Sequence, residues 1–223
     1  MSGPRRGIAA LYRELGTRGL NVGASGNVSA RTKAGMLITP SGITGDQVAP
    51  KALVEMALDG THKGRIIPSS EWAMHAAIYQ QDPAAGVIVH THSDAATALA
   101  CLNRPLPAFH YAVLGFGGPD IRIAPYLTFG TPELAQAAAE AIHGRTACLL
   151  ANHGMICHGP DVPSALLAAL RLEALCRQYL LALSAGEPRL LTDAEIEAAR
   201  LRYTTYGQQP NSHAHKDRTK ELP

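Results

Sequence analysis

The run Val87-Ile88-Val89-His90-Thr91-His92 constrains this chain more than any other stretch. Its three successive β-branched residues read as a buried strand. Side chains alternate along a strand, so His90 and His92 leave it on the same side. A second apolar run, Leu149-Leu150-Ala151, leads through Asn152 to His153 and delivers a third imidazole from the end of another strand. Upstream, Pro68-Ser69-Ser70-Glu71-Trp72 opens a helix with an acid just inside it. Together Glu71, His90, His92 and His153 offer three nitrogens and one carboxylate. Such a set fits one tetrahedral Zn2+ with a position that substrate can take. Ligand chemistry admits cobalt or manganese equally. His75 follows Glu71 by four residues on the same helix face and is a rival donor. It ranks below the strand histidines, because a helix must be aimed at the ion whereas strand ends converge; packing, or a hydrogen bond behind the ligands, is its simpler role.

In chain order, Ile8, Leu11, Tyr12 and Leu15 recur at helical spacing, and Gly16 or Gly19 ends that helix. The glycine-rich turn at residues 23–27 leads to a strand at residues 28–31, which a turn near Gly35 joins to residues 36–39 as a hairpin. Such turns ordinarily serve backbone geometry, yet Ser41-Gly42 forms a second small polar turn, and Ser69-Ser70 stands where a helix start favours an anion. N-capping is the alternative role for those serines. A capped helical stretch and a strand are expected within residues 46–60. Ser93 caps an alanine-rich helix, residues 109–118 form a loop, and Thr131-Pro132-Glu133 starts another helix. Residues 162–184 form the longest helix, leucine-rich all round, and hence buried on much of its surface or at a subunit contact. A last helix covers residues 193–203. Residues 1–209 read as one domain. The polar segment 210–223 reads as a disordered tail whose His213 and His215 are exposed.

Composition limits the function classes. A chain of 223 residues, 46% hydrophobic, can bury a substantial core. Its formal charge of +2 gives no electrostatic case for nucleic acid. The N-terminal segment is too short and interrupted for a signal peptide or membrane span, so a cytoplasmic protein is expected. Cys101, Cys148, Cys157 and Cys176 form no Cys-x-x-Cys pair, against a thiolate metal site and a redox motif.

The runs Ser25-Gly26-Asn27-Val28-Ser29, Thr39-Pro40-Ser41-Gly42, Pro68-Ser69-Ser70-Glu71-Trp72, His90-Thr91-His92, His110-Tyr111, Thr128-Phe129-Gly130-Thr131, Asn152-His153-Gly154 and Thr205-Tyr206-Gly207 resemble, in order and spacing, the class II zinc-dependent sugar-phosphate aldolases of the L-fuculose-1-phosphate aldolase type. Several short motifs in fixed order are far more specific than any one alone. The resemblance implies a three-layer α-β-α fold, with a central, largely antiparallel sheet covered by helices on both faces, assembled as a homotetramer with active sites between subunits. It implies cleavage of a ketose 1-phosphate to dihydroxyacetone phosphate and an aldehyde through a zinc-stabilised enediolate. Asn27, Ser41, Gly42, Ser69 and Ser70 fall on the family's phosphate-binding positions. Glu71 matches the acid that substrate displaces from the metal and that exchanges the proton at C3. Tyr111 matches a catalytic tyrosine that reaches a neighbouring subunit's site, and Phe129 and Tyr206 line the aldehyde end. Asn152 departs from the pattern, which has a histidine there. The same scaffold hosts methylthioribulose-1-phosphate dehydratases, pentulose-phosphate 4-epimerases, keto-acid phosphate decarboxylases and the non-catalytic head of adducins. Against that last role, a scaffold has no reason to keep a buried charged cluster.

Overall fold

The computed structural model describes residues 3–203. One seven-stranded sheet organises it, with strands β1 (Asn27–Thr32), β2 (Gly35–Ile38), β3 (Val54–Met56), β4 (Val87–Thr91), β5 (Ile123–Ala124), β6 (Ala147–Leu150) and β7 (Gly154–Gly159) in the order β3-β2-β1-β4-β7-β6-β5. Every pairing is antiparallel except that of β5 with β6. Among the described residues, six α-helices accompany the sheet: α1 (Gly3–Thr17), α2 (Trp72–Gln81), α3 (Asp94–Cys101), α4 (Pro132–Ile142), α5 (Val162–Ala185) and α6 (Asp193–Tyr203).

Alternation along the strands splits the interior into two cores. Val28, Val87, Val89, Leu149 and Cys157 face α1, α3 and α5, whereas Ile38, Ile88, Cys148, Leu150 and Ile156 face α2 and α4. Because both faces of the central strands are covered, β4 is buried at all five positions. A helical layer thus lies on each side of a largely antiparallel sheet, the three-layer arrangement expected.

Several local expectations change. Only a 3-10 turn, Pro50–Ala52, stands where a helix was expected before β3, since Pro50 takes the start of that turn and the chain is extended again at Leu53. The 109–118 loop contains a 3-10 helix, Tyr111–Phe116, where His110 Nδ1 accepts from Ala112 N. Strands β5 and β7 had no alternating pattern to announce them. Helix α5 buries one stripe, Ala165, Ala169, Leu172, Cys176 and Tyr179, and leaves Leu167 and Leu181 exposed. Tail residues 210–223, including His213 and His215, lie outside the described residues. Among the described cysteines, Cys148, Cys157 and Cys176 are buried free thiols, while Cys101 is exposed. No helix among the described residues is long and apolar enough to cross a membrane.

Ile88 is fully buried at the centre of β4, between Ser29 on β1 and His158 on β7. Ile88→Ala is expected to lower unfolding stability by about 2–5 kcal/mol, the cost of a core cavity, with an unchanged dependence on denaturant in urea titration.

Candidate metal centre and active site

Strand pairing assembles the site. Asn27 of β1 lies opposite His90 of β4, and His90 lies opposite Ile156 of β7, so His90 projects from mid-sheet toward the α2 side. His92 follows two positions later, just beyond β4. His153 occupies the tight turn between β6 and β7, where Asn152 adopts a left-handed backbone with φ 53°. The next residue has to be glycine, because a Cβ on Gly154 would stand 2.4 Å from Thr91 O and 3.2 Å from His92 Cδ2. Gly26, with φ 71°, is similarly confined: its Cβ would stand 2.6 Å from His90 O. Both glycines let backbone pass close behind the imidazoles.

Glu71 completes the cluster from the N-cap of α2 rather than from inside that helix, and its side chain does not cap. The carboxylate turns inward instead, buried, with Oε2 3.2 Å from His90 Nε2 and Oε1 3.1 Å from His153 Nε2. The Oε1 contact lacks the alignment of a hydrogen bond. His90 Nε2 also lies 3.0 Å from His92 Nε2, and the three rings pack edge-on with centroids 4.8–4.9 Å apart. One donor atom from each of Glu71, His90, His92 and His153 lies within 4.8 Å of all the others.

The proton inventory of this cluster suits a cation. His90 Nδ1 donates to Met155 O at 2.9 Å, so the neutral ring carries its proton there and Nε2 is a bare lone pair. That lone pair faces a carboxylate oxygen, which repels it, and His92 Nε2, which repels it too unless that ring carries its proton there. A proton on His90 can relieve this repulsion: burial pushes His90 down, but the adjacent Glu71 carboxylate outweighs burial and holds it above its ordinary value. Burial likewise pushes Glu71 up, and His90 and then His153 overrule it, leaving the acid well below the usual carboxylate range. His92 is pulled down to about 4 by burial and by the charges of His90 and His153. A divalent ion satisfies all four donors at once, which one shared proton does not, and three imidazole nitrogens with one carboxylate fit a metal of the zinc kind.

The remaining expected residues separate into groups. Ser41 N donates to Ile67 O and Ser69 N donates to Thr39 O, which brings the Ser41-Gly42 turn beside Ser69. Ser69 Oγ accepts from Glu71 N at 3.3 Å, a turn contact just ahead of α2 and not a cap, whereas Ser70 is exposed. Gly130 approaches Ser70 O closely, so Phe129 stands at the same edge. A cleft of about 310 Å³ is lined by Glu71, His92, Tyr126, Leu127, Phe129, Asn152 and His153. Tyr126, Leu127 and Asn152 were not foreseen as lining residues; the two former lie in a stretch with no regular pattern, where only spatial folding reveals a role. Tyr111 is more than half exposed, stacked on His110, and lines a different cleft with Arg171 and Tyr203. His75 stays out of the cluster. Tyr206 lies outside the described residues.

An open sheet with three strand-end imidazoles and a buried carboxylate defines a class of metal-site protein, and comparison with known proteins identifies which. Residues 6–180 match the family described as Class II Aldolase and Adducin N-terminal domain. Over 203 residues the chain is 45% identical to a 5-methylthioribulose-1-phosphate/5-deoxyribulose-1-phosphate aldolase of Rhodospirillum rubrum, covering 91% of this chain and 92% of that one. It is 42% identical over 203 residues to an L-fuculose phosphate aldolase of Escherichia coli K12, covering 91% and 94%. A solved L-fuculose 1-phosphate aldolase superposes with TM-score 0.87 at 38% identity, covering 92% of this chain and 97% of the other. The chain belongs to the class II aldolase family, and it is an enzyme of the aldolase kind rather than a non-catalytic head.

The buried histidines set a pH dependence for the metal-free protein. His75 is held down to about 3 by burial and by His90, and burial also lowers His92 and His158. Each binds its proton less readily folded than unfolded, so each loses stability as pH falls below about 6.5. His90, raised, contributes the opposite slope. Three groups outweigh one, and chelator-treated protein is expected to show a lower urea midpoint at pH 5 than at pH 7. His75 alone accounts for on the order of 2 kcal/mol of that change.

Proposed function

We propose that this aldolase cleaves a ketose 1-phosphate, L-fuculose 1-phosphate or a related 5-deoxy or methylthio pentulose 1-phosphate, to dihydroxyacetone phosphate and an aldehyde. The observation that carries the proposal is the convergence of Glu71, His90, His92 and His153 with the His90 tautomer pinned by Met155 O. These residues would hold one Zn2+ per subunit. Bound there, a divalent ion supplies Lewis-acid stabilisation for the electron pair left on C3 when the C3–C4 bond breaks.

The chain's own groups do the rest. Glu71 delivers the proton that C3 gains and removes it in the condensation direction, from a place among the metal-holding imidazoles that sets it beside the reacting carbon. The proton leaving the C4 oxygen, as that carbon becomes the aldehyde, passes to Tyr111 of an adjacent copy. This role agrees with the exposure of Tyr111 and its absence from the cleft beside Glu71. Asn27, Ser41, Gly42, Ser69 and Ser70 hold the phosphate, a role that the adjacency of the two serine turns supports. Leu127, Tyr126 and Phe129 form an apolar rim that suits an aldehyde ending in methyl or methylthio, in keeping with the names of the Rhodospirillum and Escherichia relatives. The Tyr111 role calls for active sites shared between subunits, in keeping with the cytoplasmic homotetramer we propose.

Purified protein incubated with a panel of such ketose 1-phosphates, followed by a coupled reductase for dihydroxyacetone phosphate, is expected to release product that chelator abolishes. Release that chelator leaves intact contradicts the metal role; loss of water or of C4 configuration instead of release contradicts C3–C4 cleavage. His92→Ala is expected to lose both metal and turnover. Glu71→Gln is expected to retain most of the metal and lose about 10²–10⁴-fold in kcat, read by metal analysis beside steady-state kinetics.

A further inference from the structure

Behind Glu71 runs a chain of buried polar groups that neither metal binding nor proton exchange uses directly. Asn27 Nδ2 donates to Glu71 Oε2 at 2.9 Å, His75 Nε2 lies 2.6 Å from Asn27 Oδ1, Ser29 Oγ lies 2.7 Å from His75 Nδ1, and Tyr79 Oη lies 2.8 Å from Ser29 Oγ. All four residues behind the carboxylate are buried, with His75 and Ser29 wholly so. Helix and strand geometry explains the register. Glu71, His75 and Tyr79 repeat every four residues along α2, a rise of about 6 Å, while Asn27 and Ser29 repeat every two along β1, a rise of about 6.7 Å. The two spacings match closely enough for the side chains to interleave.

The sense of the chain is fixed by its end. The carboxylate of Glu71 can only accept, so Asn27 must turn its amide nitrogen toward it and its carbonyl oxygen toward His75. That oxygen also only accepts, so His75 carries its proton on Nε2. Burial keeps the ring neutral, leaving Nδ1 a lone pair that takes the single proton of Ser29. Ser29 then accepts from Tyr79, whose alternative acceptor, Gly86 O, stands 3.5 Å away. All four hydrogen bonds point one way, from the phenol to the acid.

We propose that His75 is a positioning residue. By fixing the orientation of the Asn27 amide, it holds Glu71 Oε2 in place for the metal, an assignment that rests on the ligand role proposed for Glu71. Without the His75 donor, the Asn27 oxygen loses its buried anchor and the side chain is free to swing away from the carboxylate, which would leave Glu71 unsupported.

Zinc binding to chelator-stripped protein, measured by competition with a chromophoric chelator, tests this without reference to turnover. His75→Phe, which keeps a ring of similar volume but no donor, is expected to weaken zinc affinity about 10–100-fold. In the Asn27→Ala background the same change is expected to alter affinity by less than about twofold, because the residue that transmits the effect is gone. Urea unfolding of the stripped proteins reports any loss of stability separately. If His75→Phe does not fold, Ser29→Ala breaks the preceding link and is read against Asn27→Ala in the same way. Unchanged zinc affinity in the His75 or Ser29 variant, or losses that multiply with Asn27→Ala, overturn the positioning role while leaving the metal centre standing. Wild-type protein that binds no zinc in this assay overturns both.

Discussion

A carboxylate buried against three imidazoles is the interaction on which the rest of this structure depends. Glu71 lies within 3.2 Å of His90 and His153 in a site almost closed to water. Removing a carboxylate from water is costly unless positive charge and hydrogen bonds replace its hydration. His90 and His153 supply part of that replacement and Asn27 supplies the rest, so the acid remains ionised despite its burial. Four donors at this separation are suited to a shared cation, and the surrounding fold is arranged to hold them still.

That rigidity comes from the two-sided sheet. Strands β4 and β7 are packed on both faces, and the turn between β6 and β7 is forced tight by the close approach of Gly154 to Thr91. Helix α2 lies across the same face as His90, with Glu71 at its start and His75 and Tyr79 along the stripe that meets β1. The apolar core beneath, with Met74, Ile78 and Ile88, fixes how far that helix can move. The rim is different in kind: Tyr126 and Phe129 are largely exposed, as side chains that meet varied substrates, or a neighbouring copy, would be.

How much of this the sequence discloses depends on the range of the interaction. The β-branched run before His90 and the alternation of His90 with His92 are local, and so both the strand and the common direction of the rings were readable. Convergence with His153 and Glu71 was readable because each sits where a regular element begins or ends. Other features were not. Nothing local distinguishes Glu71 at an N-cap from an acid in the first turn, and the helical appearance of residues 46–52 ignored what Pro50 does at a turn. The two-residue strand β5 depends on β6, distant in sequence, and β7 is buried at every position and so shows no alternation. The interleaving of Asn27 and Ser29 with His75 and Tyr79 joins residues more than 45 positions apart; spacings of two and four are visible in the sequence, but their matching rise matters only once α2 lies on β1. For His75 the sequence favours packing or a hydrogen bond behind the ligands over direct ligation, and it is a fully buried hydrogen-bonding group beside the cluster.

The central claim is that Glu71, His90, His92 and His153 share one divalent ion. Crystals of the purified protein, with anomalous diffraction collected on either side of the zinc absorption edge, test it most directly. One peak per chain, bounded by the Nε2 atoms of the three histidines and the Glu71 carboxylate, is the predicted result. Well-ordered crystals of protein prepared with zinc that show no peak there, or one held by other residues, would contradict it.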